Sequence, residues 1–169
     1  MLAKKLYLDS HLKELMEFPD NAFPFGIWQD DFNETVGQML NYHWHETIEM
    51  NVLLKGTLDY RLDDQCFLLK EGDTMIVYSN SLHGAALSKK ETTAEMLTIV
   101  FSPDLLTGGG AGTIYQKYFQ SLSEKGFLGE KFEHSGKIGQ EMYKRLIDLA
   151  TVDEGVGYEL RILSKLSSI

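Results

Sequence analysis

Two histidines and a glutamate in the stretch 37–56 are the residues of this chain best suited to chemistry. His43, His45 and Glu49 stand at positions i, i+2 and i+6. Because side chains alternate between the faces of a β-strand, all three point the same way if the strand runs regularly through Trp44. Two imidazoles and a carboxylate on one face can bind a divalent metal, form a polar patch for a small ligand, or face water.

A third histidine extends this group. His83 follows another predicted strand and the loop 79–81. Antiparallel pairing of strands brings such a residue near the first three, and His83 is therefore a fourth potential metal ligand. Because a metal ligand must be deprotonated, metal affinity at such a site falls in acid.

The opposite face of the strand that carries Glu49 is apolar. Its residues are Trp44, Ile48, Met50, Val52 and Leu54. One interpretation places this apolar set in the core and turns the histidines toward water. The other places the histidines inside a barrel that holds a ligand, with the outside covered by helices or by a second subunit. The C-terminal half of the chain offers helices for such cover.

Composition limits the classes of protein. The chain has 169 residues, of which 43% are hydrophobic and 24% charged, which is typical of one globular domain. We find no apolar run of about 20 residues and no signal peptide, so we expect a cytoplasmic protein that does not engage a membrane. The net charge of −9 without a basic cluster makes this chain itself a poor binder of nucleic acid. The single cysteine, Cys66, excludes an internal disulfide, and we expect it to be a small buried hydrophobe.

The pattern divides the chain into an N-terminal arm with lead-in strands (1–36), a barrel core (37–104) and a C-terminal helical segment (105–169). In the arm, Asp9 or Ser10 is expected to cap a short helix that ends before Pro19. Phe25 and Trp28 belong to a strand or packing arm, and they are candidates for closing the mouth of a barrel.

In the barrel core, turn signals interrupt short apolar runs every eight to twelve residues, which is typical of a β-sandwich or barrel. The expected strands are 47–55, 57–62, 65–69, 74–78 and 95–101. Turns are expected at 63–64, 71–73 and 79–81, where Asp, Gly, Ser and Asn cluster.

Beyond residue 105 the apolar spacing becomes helical. The glycine-rich stretch 108–112 is interpreted as a linker, because it lacks the Lys-Ser/Thr of a phosphate-binding loop. Helices are expected at 113–124, after Ser135 as a cap, and at the C-terminus. The second carries Ile138, Met142, Leu146 and Leu149 on one stripe. The last carries Leu160, Leu163, Leu166 and Ile169 in one row, which needs a surface on its own barrel or on a second subunit. The last helix is still apolar where it stops, which indicates either a chain cut at this point or a face for a partner, and we expect a homodimer.

The first histidine stretch resembles a known family. Gly37, His43, His45, Glu49 and Gly56 reproduce the first cupin motif, G-x5-H-x-H-x3-E-x6-G. The second motif, G-x5-P-x-G-x2-H-x3-N, is partial. Gly72 and His83 are in place, whereas Tyr78, Asn80 and Leu87 replace its proline, glycine and asparagine. The resemblance implies a mainly β jelly-roll barrel followed by helices. It also implies His43, His45, Glu49 and His83 as ligands of a divalent transition metal such as zinc, nickel, iron or manganese.

The flanks resemble the sensor domain of AraC-type transcription regulators. The similarity covers the run 43–84, the sequence FSPDLL at 101–106 and the tail GYELRILSKLSSI at 157–169. It implies a barrel that binds a small effector, helices that dimerise, and a DNA-binding part that is absent from this chain, without catalysis. A metal-dependent cupin enzyme of the dioxygenase or isomerase class, and a stand-alone binding module, remain alternatives.

The expected effector site combines the four potential metal ligands with two tyrosines. Tyr60 and Tyr78 offer flat rings on which a sugar-like or aromatic effector can stack. The sequence thus predicts a pocket lined by His43, His45, Glu49 and His83, with these tyrosines beside it.

Overall fold

The computed structural model describes residues 6–33, 39–89, 91–109 and 112–169. Gly37 of the first motif and residues 110–111 of the glycine-rich stretch lie outside the described residues. The strands of the described chain are β1 Phe25–Phe32, β2 Met39–His43, β3 Ile48–Lys55, β4 Thr57–Leu62, β5 Gln65–Lys70, β6 Thr74–Val77, β7 His83–Leu87, β8 Ala94–Phe101 and β9 Gly129–Phe132. The helices are α1 Asp104–Thr107, α2 Gln120–Glu124, α3 Lys137–Ala150 and α4 Tyr158–Leu166, with a π-helical segment Tyr115–Phe119 before α2.

The strands form two antiparallel sheets. A five-stranded sheet has the order β1-β8-β3-β6-β9, and a four-stranded sheet has the order β2-β7-β4-β5. Side chains from both sheets, among them Leu53, Tyr60 and Met96, pack into one buried cluster. The inner faces of the sheets therefore pack against each other and enclose the interior of the barrel.

Strand β3 shows which of the two open interpretations is right. Ile48, Met50 and Val52 are buried on its outer face, in a cluster with Leu146 of α3 and Ile162 of α4. The inner face carries Glu49, Asn51 and Leu53, which are also buried. The polar face thus points into the barrel because α3 and α4 cover the apolar one, and the interpretation with water-facing histidines is wrong.

The predicted turns of the barrel core are confirmed. Asp63 has a φ of 54° in the two-residue loop between β4 and β5. Gly72 has a φ of +86°, and a Cβ at this position would lie 2.6 Å from the ring of His134. Glycine is therefore needed at position 72 for both backbone conformation and space.

The predicted N-terminal helix is wrong. The Asp9 carboxylate instead accepts hydrogen bonds from the backbone N–H groups of His11 and Lys13, and Leu12 has a φ of 63°. This local turn uses the amides that would begin a helix. The segment then runs extended and forms bridges to Trp44 and within itself.

The C-terminal segment contains a strand that the sequence prediction misses. Strand β9 pairs with β6 and forms the edge of the five-stranded sheet. The residues predicted as a helix at 113–124 form the π-helical segment and α2. Helix α3 begins after Gly136, without a side-chain cap from Ser135. None of the helices in the described ranges is long and apolar enough to cross a membrane.

The exposure of three side chains could not be read from the sequence pattern. Ile138, in the first turn of α3, is 68% exposed although Met142 on the same stripe is buried. Leu160 is 72% exposed because α4 turns Ile162 toward the sheet instead. Cys66 lies in β5 as expected but is exposed. It pairs with Arg61 on the outer face of an edge strand, where no second layer covers it in the described chain.

Candidate functional site

The structure brings the four predicted metal ligands together in the interior of the barrel. His43 ends β2, His45 lies in the connection, Glu49 is on β3, and His83 begins β7. One nitrogen or oxygen atom from each lies within 4.8 Å of the others, and all four residues are buried. The condition of a regular strand through Trp44 is not met, since the chain bends at 46–47 between the two sheets. The evenly spaced residues still face one another because both sheets turn their inner faces to the same centre.

Each histidine is oriented by a backbone carbonyl. Nδ1 of His43 lies 2.8 Å from the carbonyl oxygen of Asn41, and Nδ1 of His83 lies 2.9 Å from that of Ser81. Nδ1 of His45 lies 3.1 Å from the carbonyl oxygen of Thr47. A carbonyl accepts only from a protonated Nδ1, so in the neutral rings of His43 and His83 the lone pair is on Nε2. Nδ1 of His45 also lies 2.8 Å from the hydroxyl oxygen of Thr47. Carbonyl partners of this kind also orient the histidines of metal sites.

Glu49 is the shared partner of two imidazoles. Its Oε2 lies 3.2 Å from Nε2 of His45, and its Oε1 lies 3.5 Å from Nε2 of His83. The Asn51 amide donates to Oε1 at 2.9 Å, and the Tyr60 hydroxyl donates to the same oxygen at 3.4 Å. These two donors fix the carboxylate, which is only 1% exposed.

Tyr60 lies beside the four potential ligands, as the sequence analysis predicts, and its ring is nearly parallel to that of His83. Burial, followed by the nearby Glu49 carboxylate, raises the pKa of Tyr60 well above its ordinary value. The hydroxyl therefore stays protonated and available as a donor. Asn51 continues the network through its Oδ1, which lies 3.0 Å from the hydroxyl oxygen of Thr98.

The donor set fits a divalent transition metal. Ligand atoms about 2.1 Å from one metal lie about 3.0–3.4 Å apart in octahedral or tetrahedral geometry. The Glu49 contacts with His45 and His83, at 3.2 and 3.5 Å, are close to this range. Nε2 of His83 is buried and has no hydrogen bond within the described residues, which suits an atom that binds a metal.

Other predicted site residues lie elsewhere. Tyr78 is in the outer cluster, where its hydroxyl donates to the carbonyl oxygen of Phe119 at 3.1 Å. Phe25 is in the same outer cluster as part of β1. Trp28 pairs with Thr98 and so lies on the barrel side of β1. The structure thus brings Tyr60, but not Tyr78, to the four ligands.

Sequence reasoning missed one acidic residue at the centre. Glu14, from the segment before β1, is 4% exposed, and its Oε2 lies 3.5 Å from Nε2 of His43. No motif marks it, and its neighbours Lys13 and Leu15 form no pattern that distinguishes it. A groove of about 600 Å³ runs alongside, and both Glu14 and His45 line it.

Comparison with known proteins agrees with the geometry. Residues 33–100 match the family model described as the cupin domain. This part of the chain is a cupin domain. The predicted fold, a cupin jelly roll followed by C-terminal helices, is confirmed.

The proteins that are similar to this chain are only distantly related to it. An uncharacterized HTH-type transcriptional regulator of Bacillus subtilis, YdeC, is 25% identical over 117 residues, which is 69% of this chain. The chain spans only 39% of the length of that regulator. Among solved structures, an RmlC-like cupin from Shewanella frigidimarina is 16% identical, with a TM-score of 0.42 over 47% of this chain and 67% of the other. A predicted oxalate decarboxylase from Thermotoga maritima is 18% identical, with a TM-score of 0.41 over 45% of this chain and 64% of the other.

Proposed function

We propose that this chain is the effector-sensing part of an AraC-type transcription regulator that works in the cytoplasm. In this proposal, a small molecule binds at the centre of the cupin domain and controls a DNA-binding part outside this chain. The observation that carries it is a buried polar centre in the barrel, joined to a groove through His45. The similarity to a protein named as an HTH-type regulator supports the regulatory role.

We propose further that His43, His45, Glu49 and His83 hold a divalent transition metal (zinc, nickel, iron or manganese). Three features suit these residues to a metal ion: histidine Nε2 atoms that face the centre, a carboxylate shared by two of the rings, and the spacing of the ligand atoms. When bound, the metal would supply a Lewis acid that attracts oxygen atoms of an effector. Tyr60 holds Glu49 in place, and the ring of Trp28 on the barrel side offers a flat surface for a sugar-like or aromatic effector.

Strand β3 supports a route from the centre to the helices. Its inner face carries Glu49, and its outer face packs Ile48 and Met50 against α3 and α4. An effector that contacts Glu49 differently in two positions of β3 would shift the balance between two positions of these helices. In the proposed switch, exposed Leu160 on α4 and Ile138 on α3 belong to the surface of a homodimer.

A thermal-shift experiment tests the proposal. The chain is treated with chelator, loaded with Zn²⁺ or Ni²⁺, and screened with sugars and aromatic acids. A ligand that binds only the folded state raises Tm. We expect the metal to raise Tm, and at least one compound class to raise it further. The matched control is Glu49→Gln, in which the metal shift should disappear. The absence of any compound-dependent shift in the wild-type chain would contradict effector sensing.

The donor set of three imidazoles and a carboxylate also suits a metal-dependent oxygenase or isomerase. The same screen distinguishes the two functions, because a sensor returns its ligand unchanged. Chromatography of each compound after incubation with metal-loaded protein should recover it intact. Turnover that is lost in Glu49→Gln would establish the enzyme instead.

A further inference from the structure

The N-terminal segment 7–15 reaches the candidate metal centre although it lies outside both sheets. Glu14 enters the interior and is nearly as buried as Glu49, with 4% and 1% of their surfaces exposed. Its Oε2 lies 3.5 Å from Nε2 of His43. This is the same distance that separates Glu49 from His83.

The segment is attached to the barrel beside the ligands. The backbone N–H of Glu14 donates to the carbonyl of Trp44 at 2.9 Å, and the N–H of Trp44 donates to the carbonyl of Leu12 at 3.0 Å. The indole N–H of Trp44 donates to the carbonyl of His11 at 3.0 Å. Trp44 lies between two metal-ligand candidates in the sequence, so the docked segment and the ligands share one piece of backbone.

Side chains strengthen this attachment and set the direction of Glu14. Lys13 forms an ion pair with Glu46 at 2.9 Å and lies over the ring of Trp44. Because neighbouring side chains of an extended segment point to opposite sides, Lys13 on the outside places Glu14 on the inside. The local backbone therefore sets the direction of the Glu14 carboxylate.

The charge at the centre favours a cation. Glu14 and Glu49 carry two negative charges when ionised, and the rings around them are imidazoles, which are neutral when they ligate a metal. Positive charge nearby stabilises a carboxylate in the interior of a barrel. A divalent cation at the centre would compensate both at once, and its attraction would extend to the carboxylate of the N-terminal segment.

We infer that Glu14 is a fifth protein ligand of the metal centre, and that metal binding and docking of segment 7–15 stabilise each other. This inference rests on the proposed metal centre. The two cupin motifs supply four ligand candidates within the barrel, His43, His45 and Glu49 from the first and His83 from the second. Glu14 instead comes from a segment outside both sheets. By thermodynamic linkage, whatever the docked segment adds to metal affinity, the metal adds to docking.

The first test compares metal affinities. Chelator competition with Zn²⁺ and Ni²⁺ is measured on the wild-type chain, on Glu14→Gln and on Glu17→Gln. Glu17 is the matched control because it is an exposed carboxylate three residues away that lines the same groove. We expect Glu14→Gln to weaken binding by at least about tenfold, as loss of a partner in a metal site does. Glu17→Gln should bind like the wild type.

The second test measures docking directly. Lys13 is a trypsin site inside the segment, with about a third of its side chain exposed. Zn²⁺ should slow cleavage after Lys13 in the wild-type chain by at least about tenfold, by the linkage argument. It should not slow cleavage in Glu14→Gln. A Glu14→His variant keeps a metal ligand but loses the carboxylate, so it should recover part of both effects.

The outcomes distinguish failure of the proposed metal centre from failure of the proposed role of Glu14. A wild-type chain that binds neither metal would overturn the metal centre and the role of Glu14 with it. Equal affinity of the wild type and Glu14→Gln would overturn only the role of Glu14. Cleavage after Lys13 that ignores the metal would also overturn it, as would a Glu14→His variant no better than Glu14→Gln. Circular dichroism of metal-free Glu14→Gln checks that the variant is folded.

Discussion

Two buried carboxylates in the five-stranded sheet differ in what surrounds them. Glu49 on β3 and Asp73, just before β6, are 1% and 5% exposed. Asp73 accepts hydrogen bonds from the backbone N–H groups of Lys70 and His134, at 3.0 and 2.9 Å, and its Oδ2 lies 3.1 Å from the ammonium of Lys131. The described contacts of Glu49 are with imidazoles, an amide and a phenol.

The donors decide what each acid can do. Burial alone would raise the pKa of Asp73, but the two backbone amides and Lys131 outweigh it and hold the pKa below its ordinary value. This carboxylate is compensated within the protein and serves to join the turn before β6 to the end of β9. Glu49 faces groups that bind metals when neutral, so its environment suits an added cation. Burial of an acid therefore indicates a binding site only when the donors around it are considered.

The largest expected effect is loss of the metal in Glu49→Gln. The amide keeps the shape but loses the charge and one acceptor, so metal affinity should fall by about 100-fold or more. Asp73→Asn should leave metal affinity unchanged. Metal content of both proteins, purified without a tag and measured by mass spectrometry, checks the contrast. Equal metal content in Glu49→Gln and the wild type would show that Glu49 is not a ligand.

The second prediction reverses the contrast for stability. Asp73→Asn replaces an acceptor of three donors, and loss of hydrogen bonds to a charged group should lower the free energy of unfolding by about 1–3 kcal/mol. Denaturant unfolding in the presence of chelator measures this effect without metal. The control is Asp64→Asn in the exposed hairpin turn, which should stay within about 0.5 kcal/mol of the wild type.

The barrel and the four inner residues proposed to bind a metal could be predicted because local rules act there. Turn residues such as Asp63 and Gly72 set the ends of the strands, and even spacing together with the motif identified His43 and His45. The same spacing could not show whether the polar face pointed inward. That depended on α3 and α4 covering Ile48 and its neighbours, which is a contact between distant parts of the chain.

The remaining errors share a physical cause. Helical spacing accepts either Leu160 or Ile162 as the buried position of α4, and only packing against the sheet selects Ile162. Strand β9 has four residues, two of them charged, and forms through pairing with β6 rather than through local preference. Glu14 reaches His43 across 29 positions of sequence, and no periodic pattern connects them.

The third prediction concerns pH. The pKa of Asp73 in the folded chain lies below its ordinary value of 3.8 in the unfolded chain, so the unfolded state binds more protons between the two values. Stability from this group is therefore fully present above the unfolded pKa and is lost as pH falls through the folded pKa. In metal-free protein, the free energy of unfolding should fall less between about pH 5 and pH 2 in Asp73→Asn than in the wild type. Parallel curves would mean that the backbone N–H groups of His134 and Lys70, together with Lys131, do not lower the pKa of Asp73 in solution.

The smallest expected effect lies within the centre itself. Tyr60→Phe keeps the ring beside His83 but removes the hydroxyl that donates to Glu49 at 3.4 Å. Because Asn51 still donates to the same carboxylate oxygen at 2.9 Å, Glu49 stays oriented. We expect the free energy of unfolding to fall by about 0.5–1.5 kcal/mol and metal affinity to fall by less than about tenfold.

Chelator competition and denaturant unfolding measure both quantities, with Tyr118→Phe on the exposed π-helical segment as the control. A fall in metal affinity as large as that of Glu49→Gln would mean that the phenol, rather than the Asn51 amide, positions the carboxylate. The centre would then depend on a residue of the four-stranded sheet as strongly as on β3. An effector that displaces the Tyr60 hydroxyl would in that case control the metal directly, because the carboxylate would lose the donor that holds it toward His45 and His83.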